Sequence, residues 1–304
     1  MTAAKLMALD VGTHTILAAV GCAVAGRLEV LDDRQWFARL GEGVRSSRRL
    51  RPEAIARAVT ALREARTLAE RHGVEIAAVA TRACRDAENA GDFLRPAAEA
   101  LGVPVEIVSG EREAQLTFRG ASSDLGLAGP ALWVDVGGGS TELIAADVGA
   151  LRDAVSTPLG AVALTEAHLA GDPYGPAELE EARRTIRSTL DGTTIRALPV
   201  VVGIGGTATT FVALERGLAR YDGTLVHGFR LAAARLRDWV ARLAAMPLAA
   251  RRTLPGLAPE RAPVIVAGGL VLDAVLQRAG AGTLLVSDRG VRHGVLLDRL
   301  GLRG

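Results

Sequence analysis

LMALDVGTHTILAAV, residues 6–20, and LWVDVGGGSTELIAA, residues 132–146, follow one plan. An apolar run reads as a buried strand, Asp-Val-Gly and a small polar turn follow, and a second apolar run returns. Asp10 and Asp135 hold equivalent places, 125 residues apart. A repeat at that spacing predicts two lobes of related topology and not a short-period solenoid. Between and beyond these hairpins, strands alternate with helical patterns. A helix is predicted over 53–72 behind Pro52, with strands at Ile76–Ala80 and Val103–Val108, a helix around Ala87–Ala100 and another opening at Ser109-Gly110. The second half adds a helix over Ala177–Leu190 and a strand over Val200–Ile204 that ends in Gly205-Gly206-Thr207. The apolar run Val264–Ala267 leads to Gly268-Gly269 and a helix to Ala279, followed by Thr283–Val286 and a closing helix near Val291–Leu300. The alternation predicts α/β lobes with largely parallel pairing. The lobes are expected at residues 1–125 and 126–304, with the last helix free to pack back on the first.

Composition excludes several chemistries. Lys5 is the only lysine, so neither a Gly-x-x-x-x-Gly-Lys phosphate loop nor a Schiff-base lysine exists. Cys22 and Cys84 lack paired spacing and the five histidines lack a zinc motif. Aromatic residues make up only 3% of the chain, too few for stacking platforms, so no nucleic acid is expected. No apolar run reaches membrane-spanning length, and the N-terminus shows no signal-peptide cleavage pattern, so a cytoplasmic location is expected. A net charge of +2 means that any anion site is local.

Three glycine turns are candidates to cradle phosphate: Gly12-Thr13-His14-Thr15, Gly137-Gly138-Gly139-Ser140, and Gly205-Gly206-Thr207. Glycine lets the backbone approach a ligand with its N–H groups, and Ser140, Thr141, Thr13 and Thr15 add hydroxyls. A tight turn explains any one of them alone. Glu113 is either a helix-start carboxylate, three residues after Gly110, or a catalytic group. Asp135 and Glu142 flank the triple-glycine turn, where carboxylates beside phosphate suit Mg²⁺. Arg45, Arg48, Arg49 and Arg51 form a cluster that reads either as a solvated loop or as a polyanion-steering patch.

Taken together, Asp10–Thr15, Arg39-Leu-Gly-Glu-Gly43, Thr81–Asn89, Ser109-Gly-Glu-Arg-Glu-Ala114, Asp135–Glu142, Pro158-Leu-Gly160, Gly205–Thr207, Val226-His-Gly228 and Ser287-Asp-Arg-Gly290 resemble the exopolyphosphatase and guanosine pentaphosphate phosphatase family. The segments occur in the family's order along nearly the whole chain. The resemblance implies a two-lobed actin-like (ribonuclease H-like) α/β fold with a cleft between lobes. It implies Glu113, Asp135 and Glu142 as catalytic acids, and Asp10, Asp135 and Glu142 as ligands for Mg²⁺ or Mn²⁺. Arg85 and Asn89 would join the glycine turns on substrate phosphate.

The implied reaction is in-line attack of water on a terminal phosphorus of inorganic polyphosphate, releasing orthophosphate. Guanosine pentaphosphate phosphatase activity, a non-catalytic binding regulator and an actin-like kinase are the alternatives, and a homodimer is left open. Two positions depart from the family pattern: His14 stands where an Asn is usual, and His293 where Glu is frequent. Longer family members carry further helical domains beyond the two lobes seen here, so a distributive enzyme is expected.

Overall fold

A computed structural model describes residues 4–127, 129–147, 150–194, 198 and 200–302. The chain divides into two compact units, Met1–Ser123 with Gly290–Gly304 and Asp124–Arg289. The second unit therefore ends at Arg289, and the closing residues belong to the first.

In the first unit, β1 (Lys5–Val11), β2 (Ile16–Val24) and β3 (Arg27–Trp36) form a meander. Next come α1 (Val44–Ser47), α2 (Pro52–His72), β4 (Glu75–Ala80), α3 (Arg82–Asp86), α4 (Ala90–Leu101), β5 (Val105–Ile107) and α5 (Gly110–Ser122). The sheet order is β3-β2-β1-β4-β5, with β1, β4 and β5 parallel. Pro52 opens α2 at a position where its missing N–H costs nothing, and Gly73 closes the helix at φ 61. One sheet face buries Met7, Leu9 and Ile16 against Leu62 and Phe93.

The second unit starts with another meander, β6 (Ala131–Val136), β7 (Thr141–Asp147) and β8 (Ala150–Thr157), then α6 (Ala161–His168) and α7 (Pro176–Asp191). It continues through β9 (Val201–Ile204), α8 (Gly205–Arg216), α9 (Gly223–Val226), β10 (Phe229–Ala232) and α10 (Ala233–Ala244). It finishes with α11 (Leu248–Arg251), α12 (Ile265–Ala279) and β11 (Thr283–Val286). Its sheet order, β10-β11-β9-β6-β7-β8, repeats the first sheet and adds β10 at one edge. The last helix, α13 (Val291–Arg299), packs Val295 and Leu296 with Ala8, Ala19 and Leu116 in the first unit's other core.

Two differences from the sequence reading have physical causes. Val264–Ala267 is not a strand leading to a turn, because α12 runs unbroken from Ile265 through Gly268 and Gly269. A four-residue apolar run is equally at home in a buried helix. A Cβ on Gly268 would sit 2.6 Å from Thr207 Cγ2, and one on Gly269 2.5 Å from Phe211 Cζ, so these glycines let α12 approach α8. The strands β3 and β8 carry too many polar residues to announce themselves, and β10 is only four residues long; all three lie at sheet edges, where pairing on one side suffices.

Candidate active site

The repeat extends to individual hydrogen bonds. The Gly12 N–H donates to Thr15 O at 3.0 Å, and the Gly137 N–H donates to Ser140 O at 2.9 Å, so both turns close alike. Both turns are also backed by a Leu-Gly pair from elsewhere in their own unit. In the first, Arg39 N–H donates to His14 O and Gly41 N–H to Thr13 O, each at 2.9 Å. In the second, the opening amides of α6 hold two carbonyls one position earlier in the turn: Ala161 N–H donates to Gly137 O at 2.8 Å and Val162 N–H to Gly138 O at 2.9 Å. Leu40 and Leu159 are buried beneath. A Cβ on Gly41 would sit 2.3 Å from Thr13 Cγ2, and one on Gly160 2.1 Å from Gly138 O.

This backing determines what the turns present. In a trans peptide the C=O and the following N–H point opposite ways. With the carbonyls of Gly137 and Gly138 held by α6, the N–H groups of Gly138 and Gly139 face away from it. Among the described residues neither N–H has an acceptor. The held carbonyls of Thr13 and His14 likewise turn the His14 and Thr15 N–H groups away from residues 39–41. A third matched pair completes the pattern, since Thr207 Oγ1 donates to Val136 O at 2.8 Å and Thr81 Oγ1 to Val11 O at 3.4 Å.

In the first unit, Glu113 stands on α5. Ser109, not Gly110, is the N-cap, its hydroxyl accepting from Arg112 N at 3.1 Å. Glu113 is thus one residue beyond the capping-box position, and the cap is already supplied. Its carboxylate accepts instead from Arg85 Nη1 at 2.9 Å, and that nitrogen also donates to Val108 O at 2.8 Å. Asp10 Oδ1 is buried, with no hydrogen-bond partner among the described residues. Burial pushes the Asp10 carboxyl up to about 7; the Glu113 charge adds to the rise and the Arg292 charge opposes it.

Asn89 does not join Arg85. Its Oδ1 accepts from Leu50 N at 2.7 Å, and Nδ2 donates to Leu50 O at 3.1 Å and Asp92 Oδ2 at 3.0 Å. Both amide hydrogens are engaged in fastening residue 50 to the start of α4. Two arginines of the cluster are paired. Arg48 pairs with Glu88 at 3.1 Å, while Arg51 and Arg57 share Glu42 at 3.2 and 2.8 Å. The side chain of Arg45 lies outside the described set.

The two departures from the family pattern have local explanations. His14 meets Phe37 edge to face at 5.8 Å. His293 takes the N3 place of α13, where its Nδ1 accepts from Gly290 N at 3.3 Å, the reciprocal half of a capping box that a Glu carboxylate also makes.

In the second unit, Asp135 and Glu142 face each other directly across the β6–β7 ladder. Like charges so placed repel unless a cation lies near. Glu142 also accepts from Ser156 Oγ at 2.9 Å. Ser140 is buried, and Thr141 Oγ1 donates to Leu159 O, again fastening the turn to its backing segment. Gly205 adopts φ 72, and a Cβ there would sit 2.3 Å from Asp135 Oδ1. Gly206 is overlain by the guanidinium of Arg261, whose Nη2 lies 2.0 Å from where a Cβ would be.

Arg261 escaped the sequence reading, because Pro259-Glu260-Arg261-Ala262 looks like any charged loop. Burial pulls its guanidinium below the ordinary value, against the Tyr221, Asp135 and Glu260 charges. It stands at the N-terminus of α8, where the helix dipole already disfavours a cation. Such a concentration of positive charge, answered nearby by Asp135, is suited to an anion.

Duplicated sheets, each carrying an aspartate at the end of its central strand and a backed glycine turn after it, define an actin-like two-domain protein. The chain belongs to the Ppx/GppA phosphatase family, whose model matches residues 20–302. It is 36% identical over 321 residues to Exopolyphosphatase 2 of Mycobacterium tuberculosis, covering 99% of this chain and 100% of that one. Among solved structures, the Aquifex aeolicus family member is 29% identical with a TM-score of 0.85, covering 98% of this chain and 97% of that one. An exopolyphosphatase-like protein is 31% identical with a TM-score of 0.88, covering 98% of each chain. Among the described residues no helix is long and apolar enough to cross a membrane.

Proposed function

We propose that this protein is an exopolyphosphatase, hydrolysing the terminal phosphoanhydride bond of inorganic polyphosphate to release orthophosphate. The observation that carries the reading is the pair of backed turns, which hold main-chain N–H groups outward as fixed anion donors. Preorganised donors of this kind supply most of the catalysis in phosphoryl transfer, where charge spreads over the phosphoryl oxygens. Glu113, anchored by Arg85, would position the attacking water and take its proton. Arg261 and the first amides of α8 would add positive charge to the bound phosphates.

The residues fit a hard divalent cation, Mg²⁺ or Mn²⁺. Within the second unit, Asp135 and Glu142 oppose each other across the β6–β7 ladder; within the first, Asp10 has a buried oxygen with no hydrogen-bond partner among the described residues. Among the described residues no group of three or more His, Cys, Asp or Glu is gathered as for a metal, and Mg²⁺ commonly takes much of its coordination from water and phosphate. Such an ion supplies charge neutralisation on the phosphoryl oxygens.

Guanosine pentaphosphate remains the second reading. Backbone N–H groups and a guanidinium recognise phosphates and are indifferent to what the phosphates are attached to. The location consistent with this function is the cytoplasm. The test is phosphate release from polyphosphate and guanosine pentaphosphate measured side by side, in the wild type and in Glu113→Gln. The variant should bind tripolyphosphate normally and lose turnover by about 100-fold or more, as for a lost general base. Turnover within a few-fold of wild type would falsify the catalytic role of Glu113.

A further inference from the structure

Arg261 reaches the third glycine turn from an irregular segment that runs along α8 and is tied down at both ends. At the far end Gly256, with φ 86, lies so close to α8 that a Cβ would sit 2.5 Å from Ala213 O. At the near end, two residues past Arg261, the Pro263 carbonyl accepts a hydrogen bond from the Tyr174 hydroxyl at 2.9 Å. Tyr174 comes from the loop before α7 and is itself held firmly. It is buried, its N–H donates to Ala244 O at 3.2 Å, and the guanidinium of Arg251 lies 4.4 Å over its ring. Arg251 is only 1% exposed, so this stack is sealed within the unit.

A tether is needed here for a physical reason. A guanidinium at a helix N-terminus faces a dipole of its own sign, and burial strips its hydration. A long arginine side chain in that position relaxes toward solvent if its backbone is allowed to move. Asp135 attracts it, and its own backbone is held by Arg261 N–H to Ala258 O at 2.9 Å and by the Val264 and Ile265 N–H groups to Arg261 O at 3.0 Å; the Tyr174 bond fixes the chain two residues further on.

We propose that Tyr174 is a positioning residue for phosphate binding, its hydroxyl holding the Pro263 carbonyl so that the Arg261 guanidinium stays against Gly206. The inference rests on the reading of Arg261 as a phosphate contact given above. Tyr174→Phe keeps the ring and the Arg251 stack and removes only the hydroxyl.

The experiment compares wild type, Tyr174→Phe, Arg261→Gln and the double variant. It reads kcat and KM on tripolyphosphate, and tripolyphosphate Kd by calorimetry in the turnover-silenced Glu113→Gln background. Tyr174→Phe is expected to raise KM and Kd roughly five- to tenfold, the worth of about one hydrogen bond, with kcat within twofold. In the double variant the tyrosine change should add nothing to the arginine change. A purely structural tyrosine would lower thermal stability without this split or this non-additivity.

Unchanged Kd in Tyr174→Phe, beside weakened binding in Arg261→Gln, overturns the inference and leaves the Arg261 reading standing. Additive effects also overturn it. Wild-type affinity in Arg261→Gln overturns the underlying reading and the inference with it. Because Kd is read without turnover, a wild type inactive on polyphosphate would refute the proposed function alone.

Discussion

Replacing Gly160 with alanine adds one methyl group at the tightest point behind the second glycine turn. Gly160 has φ −91 and ψ 148, a conformation that alanine adopts freely, so the backbone itself imposes no penalty. The obstruction is steric. The new Cβ would lie 2.1 Å from Gly138 O, 2.3 Å from Gly139 C and 2.4 Å from Gly139 Cα. Ordinary contact begins at 3.4 Å, so the turn and α6 must separate by about 1.3 Å at the carbonyl (3.4 − 2.1). That movement stretches the 2.8 and 2.9 Å bonds from Ala161 and Val162 and lets the Gly138 and Gly139 amides rotate. Overpacking of this kind costs roughly 1–3 kcal/mol. A displacement of about 1 Å in a catalytic constellation costs on the order of 100-fold in rate. Thermal unfolding and phosphate release from a short polyphosphate would be measured together, with Gly282→Ala as control because nothing lies within 4 Å of its Cβ. A Gly160→Ala protein with wild-type stability and turnover within twofold would refute the idea that α6 holds the turn in shape. Lost stability with full turnover would refute the link between that shape and function.

Other outcomes follow from the same geometry. With its carboxyl at about 7 in the folded state and about 4 when unfolded, Asp10 increasingly opposes folding as pH rises between those values. Asp10→Asn should therefore stabilise the chelated protein above pH 7, by on the order of 4 kcal/mol, with the gain vanishing near pH 4. Melting temperatures that differ equally at pH 4 and pH 8 would contradict this. Activity should vanish on exhaustive chelation and return with Mg²⁺ or Mn²⁺; full turnover in chelator refutes the cation. Glu88 and Glu42 offset part of the charge of Arg48, Arg51 and Arg57, which weakens that patch as a hold on a polyanion between cuts. A long polyphosphate should accordingly shorten as a whole population on gels, whereas full-length chains coexisting with orthophosphate alone would show a processive enzyme.

The duplicated strand–turn–strand was legible because both Asp-Val-Gly segments stand in buried, continuous apolar runs. Its backing was not. Leu40-Gly41 follows Gly12 by 29 residues, while Leu159-Gly160 follows Gly137 by 23, so no fixed register relates the pairs. Only the fold brings each beneath its turn. The same limit hid Arg261, whose meaning comes from lying over Gly206, 55 residues away in the chain. Nor did the sequence show that Asn89, a polar residue within a family motif, fastens a loop through Leu50. Glu113 stayed ambiguous in the sequence because the helix start could be set at Ser109 or Gly110; the Ser109 hydroxyl is the cap, which puts Glu113 one residue past the capping-box position.

The outward-facing amides also set where this protein can tolerate change. A peptide N–H belongs to every residue but proline, carries no proton to lose near neutrality, and survives replacement of the side chain beside it. The side chains of the first turn, His14 and Thr15, can therefore differ from the Gly138 and Gly139 of the second while each turn keeps its main-chain donors. Constraint falls instead on residues with no chemistry of their own, Gly41 and Gly160, which must stay small so that a neighbouring carbonyl keeps its direction. Phosphate affinity at these turns should vary little with pH, leaving the carboxylates to shape the pH profile of the reaction.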